Sequence, residues 1–457
     1  METSAAKDMT SGSPWKLILS FFVPMVFGLV FQQMYNMVDT IIVGKYLGVE
    51  ALAAVGSTGS VNFMVVGFCI GVCSGFAIPV AQKFGEKNYS DLRRFVANGA
   101  YLASGFAVVM TLIVCVLCRQ ILVWMNTPEN ILDGAYRYIF VIFLGIPATY
   151  LYNLVSGIIR SLGDSRTPVI FLVISSFLNV VLDLYFILTL HMGVAGAAWA
   201  TVISQAVSGI GCLIYMRYKF ELLRMSREEA KADRHIMIIL CNMGIPMGLQ
   251  YSITAIGSVI LQTAVNGLGS LVVAAVTAGS KISMFFCCPF DAMGSTMATY
   301  GGQNIGAGKP ERIRQGLTCA VCLGFGYAIL ACVALFLWSD QVALLFMDKG
   351  EMAILTDVRR FLMTNSLFYF PLALVNIIRF LIQGMGYSKM AVLAGVCEMA
   401  ARTFVGFCLV PFFGYAAVCF SNPAAWIAAD LFLVPCYFYL MKKLTGRYRQ
   451  RAGHGIV

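Results

Sequence analysis

Two acidic residues in the first half of this chain combine type and spacing in a way that suggests cation chemistry. Asp39 lies in one apolar run with Asn36 at i−3, and Asp183 lies in another with Asn179 at i−4. On a helix those intervals put each carboxylate and its amide on one face. The runs end near Val43 and Leu190. At 1.5 Å per residue, the two carboxylates lie roughly 6 and 10 Å inside the same boundary. Thr201, early in the next run, falls near ~12 Å by the same rise. Carboxylate, amide and hydroxyl oxygens are hard ligands that suit Na⁺. Two neighbouring carboxylates also repel, which lets one of them hold a proton near neutral pH. The same side chains can instead only staple helices by hydrogen bonds. A charge at bilayer depth costs at least ~2.5–3.5 kcal/mol on insertion scales, which favours a functional role.

The elements that must position these residues follow from composition. The chain has 457 residues, 59% hydrophobic and only 12% charged, with a mean hydropathy of +0.81. Soluble domains carry about 25% charged residues, so an ordinary cytosolic enzyme, a disordered chain and a secreted disulfide scaffold are excluded. Twelve apolar runs, from 15–43 to 414–441, each exceed the ~20 residues that span a bilayer as a helix. The expected fold is therefore an all-α membrane protein. Its organisation reads as an N-terminal tail over 1–14, a six-helix lobe over 15–218, a charged helical linker over 219–234, a second six-helix lobe over 235–441 and a basic tail over 442–457. The run beginning at Trp15 is too long for a signal peptide and reads as a retained first span.

The halves repeat. LGVEALAAVGST at 47–58 answers LGSLVVAAVTAG at 268–279, an offset of 221, and the same offset pairs Gln82 with Gln303 and Arg93 with Arg314. Asn153 and Gly163 pair with Asn376 and Gly386 at an offset of 223. Six spans per half is an even number, so the repeat is parallel, with a pseudo-twofold axis along the membrane normal. With the N-terminus inside, inner segments carry 23 Lys and Arg and outer segments 6. This bias puts both termini in the cytoplasm. The net charge of +10 then reflects orientation and contact with anionic lipid rather than nucleic acid.

The second half has no copy of the acidic pair: Asp39 is answered by Ile260 or Leu261, and Asp183 falls near Phe404. Cation chemistry is thus expected in the first lobe. Glu398 and Arg402 are i, i+4 and can neutralise each other, while Asp291 and Asp430 are lone carboxylates. Gln250, Thr254, Ser258, Gln262 and Asn266 recur every four residues. Such a stripe fits a water-lined cavity or interhelical hydrogen bonds. Gln250, Thr254, Ser258, Gln262, Asp291 and Asn376 are the candidate substrate-cavity residues. Most of the 15 Cys lie in apolar runs, and the three His sit at span ends or in the tail. A His or Cys metal centre is not expected.

These residues resemble the multidrug and toxic compound extrusion (MATE) family of transporters. The carriers are FQQMYNMVDTIIVGKYLGVEALAAVG at 31–56, SGIIRSLGDSRTP at 156–168, LNVVLDLYF at 178–186 and GVAGAAWATVISQ at 193–205. The resemblance implies a V-shaped pair of six-helix bundles that alternate between inward and outward openings. It also implies efflux of amphipathic, often cationic compounds in exchange for Na⁺ or H⁺. The family's first-lobe cation residues match Asp39, Asn179 and Asp183, with Thr201 and Asn153 extending the site; Asn36 joins the set by its spacing. Na⁺ is a candidate ligand of Asp39, Asn179, Asp183 and Thr201. Some members instead place an acidic cation site on spans seven and ten of the second lobe; here the matching span-seven position is Thr254, and span ten offers Asn376 and Arg379 but no carboxylate at depth.

The expectation is a cation-coupled antiporter, not an enzyme, without a cofactor beyond the coupling ion. It would act as a monomer in a bacterial-type plasma membrane, with a small-molecule substrate and lipid as partners. The alternative is a lipid-linked precursor flippase, which would favour a strongly basic cavity. The only intramembrane cations read from the sequence are Lys281, Arg379 and Arg402.

Overall fold

A backbone surrounded by lipid must satisfy its own N–H and C=O groups, and this chain does so with helices. The computed structural model describes residues 6–125, 127–344 and 352–453; Lys349 and His454 lie outside them. Among the described residues, ten helices are long and apolar enough to cross a membrane, and two bent helix pairs, each counted as one span, bring the number to twelve.

In the first half, α1 is Pro14–Leu47, α2 is Gly59–Gly85 and α3 is Tyr89–Trp124. Span α4 is the pair Glu129–Leu144 and Ile146–Ser161, bent by 45°. Helix α5 is Arg166–Leu184, and α6 is Val194–Lys219. In the second half, α7 is Arg234–Asn266, α8 is Ser270–Gly306 and α9 is Pro310–Leu344. Span α10 is the pair Met352–Leu367 and Tyr369–Gly384, bent by 53°. Helix α11 is Ser388–Phe404. Helix α12, Tyr415–Gly453, carries helical structure through most of the expected basic tail.

The repeat is written into the turns as well as the spans. Positive φ values occur at Gly48 and Gly269, at Lys87 and Gly308, at Gly163 and Gly386, and at Gly193 and Gly414. Each pair is separated by the interval seen in the sequence repeat. Left-handed backbone favours glycine because it has no Cβ, so turn geometry is what keeps most of these glycines in register. Both fifth spans of the halves also end in a wider π-type turn, Tyr185–Thr189 after α5 and Val405–Leu409 after α11.

The chain forms two compact units that cut across the sequence division at 219–234. The first holds residues 1–8 and 23–252, and the second holds 9–22 and 253–457. The start of α7 thus belongs with the first unit, and glycines show why. A Cβ on Gly71 of α2 would lie 2.5 Å from the Met247 carbonyl oxygen, and one on Gly75 would lie 2.5 Å from Gly244 Cα. Small residues let helix backbones approach this closely, and in lipid that packing is a main source of association. In the second unit, Met9 N donates to Gln303 Oε1 at 2.8 Å, Lys309 Nζ donates to the Thr10 carbonyl at 2.8 Å, and Arg312 Nη1 donates to the Gly12 carbonyl at 3.0 Å. These bonds hold the segment before α1.

The linker differs from the helix expected there. Beyond α6 it forms only a short 3₁₀ turn at Glu221–Leu223 before α7 begins. Its groups bond outward to α3 instead. Arg93 takes Glu229 in a two-pronged pair at 2.6 and 2.8 Å, Arg94 Nη2 meets Asp233 Oδ2 at 2.7 Å, and Tyr101 Oη donates to the Ala230 carbonyl at 2.7 Å. The charges of the expected helical linker are therefore used to fasten the segment to the lobe.

Candidate functional site

The first unit brings Asp39 and Asp183 together. Asp39 lies two turns before the end of α1, and Asp183 lies in the last turn of α5, where the helix widens. A π-type turn changes the face that following residues present and often marks functional positions. The two carboxyl groups are within side-chain hydrogen-bonding reach of each other. Asp183 is fully buried. Oδ1 of each carboxyl has no hydrogen-bond partner among the described residues, and no Lys or Arg among those residues pairs with either group.

Asn179, one turn before Asp183, is also buried. In the orientation that satisfies both ends of its amide, its nitrogen donates to Asp183 Oδ2 at 3.3 Å and its oxygen accepts from Thr201 N at 3.2 Å. Thr201 Oγ1 donates to the Ala197 carbonyl at 3.1 Å, which turns the hydroxyl lone pairs away from its own backbone. Tyr35, one turn before Asp39 on α1, and Tyr138 of α4 lie close enough to interact electrostatically with both carboxylates.

Asn179 and Thr201 also line a narrow cavity of about 40 Å³ inside this lobe, together with Asn153 of α4 and Gln32 and Tyr35 of α1. That is room for a few water molecules or a partly hydrated ion. Asn153 donates to the Thr149 carbonyl at 2.8 Å, leaving its side-chain oxygen available. Asn36 is not part of this group. Its side chain is exposed and donates to Gln33 Oε1 at 3.4 Å. The i−3 spacing put it near Asp39, but its rotamer turns back along the helix.

The stripe on α7 runs through both units. Gln250 is buried in the first unit, while Thr254, Ser258 and Gln262 fall in the second. Ser258 donates to the Thr254 carbonyl at 3.1 Å and Gln262 to Asn266 at 2.8 Å, so much of the stripe is satisfied along its own helix. Asp291 is exposed and Asn376 is buried.

The second unit has a charged cluster of its own, on α10 and α11. Glu398 of α11 accepts a close hydrogen bond from Arg379 of α10, and Arg402 Nη1 lies 3.6 Å from its other oxygen. All three are at most 8% exposed. Asp430 of α12 has a buried Oδ1 without a partner among the described residues and lies within electrostatic reach of Arg379 and Glu398. The sequence singled out Arg402 as the partner of Glu398 because only that cation lies at i+4. Arg379, 19 residues away, comes from a neighbouring helix and makes the closer contact.

Sequence reasoning also missed Tyr35, Tyr138 and the serines beside the cavity. The signal was present on α6, where Thr201, Ser204, Gln205 and Ser208 recur on one helical face.

Comparison with known proteins agrees with the fold and the repeat. The family model MatE matches residues 24–185 and again 246–408, over half of the chain. The chain is 27% identical over 362 residues to YoeA of Bacillus subtilis, named a probable multidrug resistance protein, covering 77% of this chain and 78% of that one. It is 23% identical over 444 residues to NorM of Thermotoga maritima, also named a probable multidrug resistance protein, covering 96% and 94%. A solved structure described as the outward-facing conformation of a multidrug resistance MATE family transporter shares the fold, with a TM-score of 0.89 at 23% identity over 95% of this chain and 98% of that one. With two matched halves, twelve spans and a buried polar site in the first, this chain belongs to the MATE family and is a membrane transporter rather than an enzyme.

Proposed function

We propose that this transporter is a secondary antiporter. It loads a cation, Na⁺ or H⁺, at Asp39, Asn179, Asp183 and Thr201 and exports amphipathic, cationic small molecules by alternating access. The reading is supported by the relatives named for multidrug resistance. The observation that carries it is the meeting of two carboxyl groups inside one lobe with no Lys or Arg partner among the described residues. Two like charges ~4 Å apart repel by about 4 kcal/mol at an effective dielectric of ~20. A cation that joins them removes that repulsion, and the conformation that holds the pair together then depends on its presence. Coupling requires that cation and drug bind the alternating conformations unequally. Turned about its side-chain axis, the Asn179 amide would present oxygen instead of nitrogen to the carboxylates, the orientation that a bound Na⁺ needs.

The 23 to 6 distribution of Lys and Arg supports cytoplasmic termini in a bacterial plasma membrane, with the transporter working as a monomer in contact with anionic lipid. Under this orientation α5 begins on the cytoplasmic side, and the acidic pair lies toward the outside. Asp39→Asn and Asp183→Asn should each abolish gradient-driven dye efflux from proteoliposomes while leaving folded protein. Full coupled efflux by both variants would refute the proposal.

A further inference from the structure

The first-lobe cavity extends beyond the residues that hold the acidic pair, and its inner wall has a chemistry of its own. Ser175 and Ser176 of α5 line it, as do Ser204 and Ser208 of α6. Ser204 and Ser208 are 2% and 3% exposed, and neither hydroxyl has a hydrogen-bond partner among the described residues. Buried hydroxyls are rarely left this way without a ligand, water or ion. The two serines on α5 have spent their protons elsewhere. Ser175 Oγ donates to the Ser204 carbonyl at 2.8 Å, and Ser176 Oγ donates to the Leu172 carbonyl at 2.8 Å. Once its proton is committed to a carbonyl, a hydroxyl offers only lone pairs in its remaining directions. Thr201 is in the same state. Three of these hydroxyls, on Ser175, Ser176 and Thr201, are thus left to accept rather than donate, which is what a hard monovalent cation seeks, and those of Ser204 and Ser208 are free to turn their lone pairs the same way.

These oxygens are spaced along the two helices. From Thr201 to Ser208 is seven residues, about 10 Å along α6, and from Asn179 back to Ser175 is four residues, about 6 Å along α5. Both intervals lead from the acidic pair toward the end of the lobe where α5 begins and α6 finishes. No carboxylate lines this cavity, so the ligands here are neutral. Ion affinity falls as the number of charged ligands falls. A neutral oxygen site next to an anionic one is therefore a weaker place, suited to an ion in passage.

From this geometry we infer a second, transient Na⁺ site built by Ser175, Ser176, Ser204 and Ser208, through which the coupling ion leaves the acidic pair for the cytoplasm inside the first lobe. The inference rests on the proposed antiport at Asp39 and Asp183 and adds the ion's identity and exit route. Neutral hydroxyls can hold Na⁺ but cannot hold a proton at neutral pH, which is why the assignment is to sodium.

The test uses the full-length protein in proteoliposomes and ²²Na⁺. Equilibrium ²²Na⁺ binding reports the acidic pair, and the rate of inward ²²Na⁺ flux during dye export reports the route. Ser204→Ala/Ser208→Ala should bind sodium within about twofold of the unaltered protein and carry it inward at least ~10-fold more slowly. Ser208→Thr keeps a hydroxyl and should retain the flux. Unchanged flux in the double alanine variant would overturn the route. So would binding and flux falling together in that variant while Ser208→Thr also loses both, because the serines would then be packing residues. If the unaltered protein is driven by protons and binds no sodium, the sodium site is overturned while antiport at the acidic pair stands. If neither ion drives efflux, both readings fail.

Discussion

The two lobes differ in what surrounds their intramembrane acidic groups, Asp39 on α1 and Asp183 on α5 in the first and Glu398 on α11 in the second. In the first lobe Asp39 and Asp183 face each other with amides, hydroxyls and tyrosines around them and no Lys or Arg partner among the described residues. In the second, Glu398 lies between Arg379 and Arg402. A carboxylate that already holds a guanidinium has little to gain from an ion in solution, whereas a carboxylate pair without one does. The difference teaches that fold repetition does not duplicate function. In the second lobe the protein supplies the cation itself, as a fixed ionic staple, and in the first no Lys or Arg does so among the described residues, which leaves room for the exchangeable cation that we propose.

The largest expected effect is at the proposed cation site. Asp183→Asn should lower cation-driven efflux by ~100-fold or more, while Asp430→Asn in the second lobe should keep the cation dependence of whatever transport remains. Parallel flux measurements in vesicles check this. If Asp430→Asn abolished the dependence and Asp183→Asn did not, the assignment of the two lobes would be reversed.

Next is the staple. Glu398→Gln leaves two buried guanidinium groups without their carboxylate, and breaking a buried pair in this way costs about 3–5 kcal/mol. Denaturant or thermal unfolding in detergent should show a loss of that order. Replacing Arg379 and Arg402 together with Met in the Glu398→Gln background should recover part of it, because the two guanidinium groups stranded by that change are then gone. A smaller loss, about 1–3 kcal/mol, is expected from Gly71→Ala, whose new methyl group would sit 2.5 Å from the Met247 carbonyl oxygen. Gly99→Ala, with nothing within 4 Å of the added carbon, provides the control and should not lower the melting temperature.

The smallest effect concerns the linker. Hydrogen bonding from the Arg93 guanidinium, with further help from the Ser226 backbone, holds the Glu229 carboxyl well below the usual carboxylate range. A depressed folded-state value means the pairing contributes fully above the unfolded value near ~4.3 and is lost only as pH falls through the folded value. Protease nicking of residues 224–233 should therefore stay flat from neutral pH down to about pH 5 and rise only in strong acid. Glu229→Gln should raise nicking at neutral pH and remove its acid dependence.

Much of this architecture could be read in the sequence because its causes are local. Span limits follow from continuous apolar runs, and the repeat shows in glycines that left-handed turns require at 48 and 269 or 193 and 414. Asp39, Asn179 and Asp183 stood out because intramembrane carboxylates are rare and i−4 spacing is readable. What sequence alone did not show depends on partners distant along the chain. Arg379 reaches Glu398 from another helix, while the i+4 rule pointed only to Arg402. The linker read as a charged helix because the mates of its charges, Arg93 and Arg94, are on α3. The start of α7 joined the first unit through glycine contacts that no hydropathy pattern reveals. Asn36 failed in the other direction: its spacing was right, but its side chain turned to Gln33.

The most direct test of the central claim is dye export from proteoliposomes in which Na⁺ and pH gradients are imposed separately on unaltered protein and on Asp39→Asn. The account predicts that one inward cation gradient accelerates export by the unaltered protein and has no effect on the variant. Export indifferent to both gradients, or equally stimulated in Asp39→Asn, would contradict it.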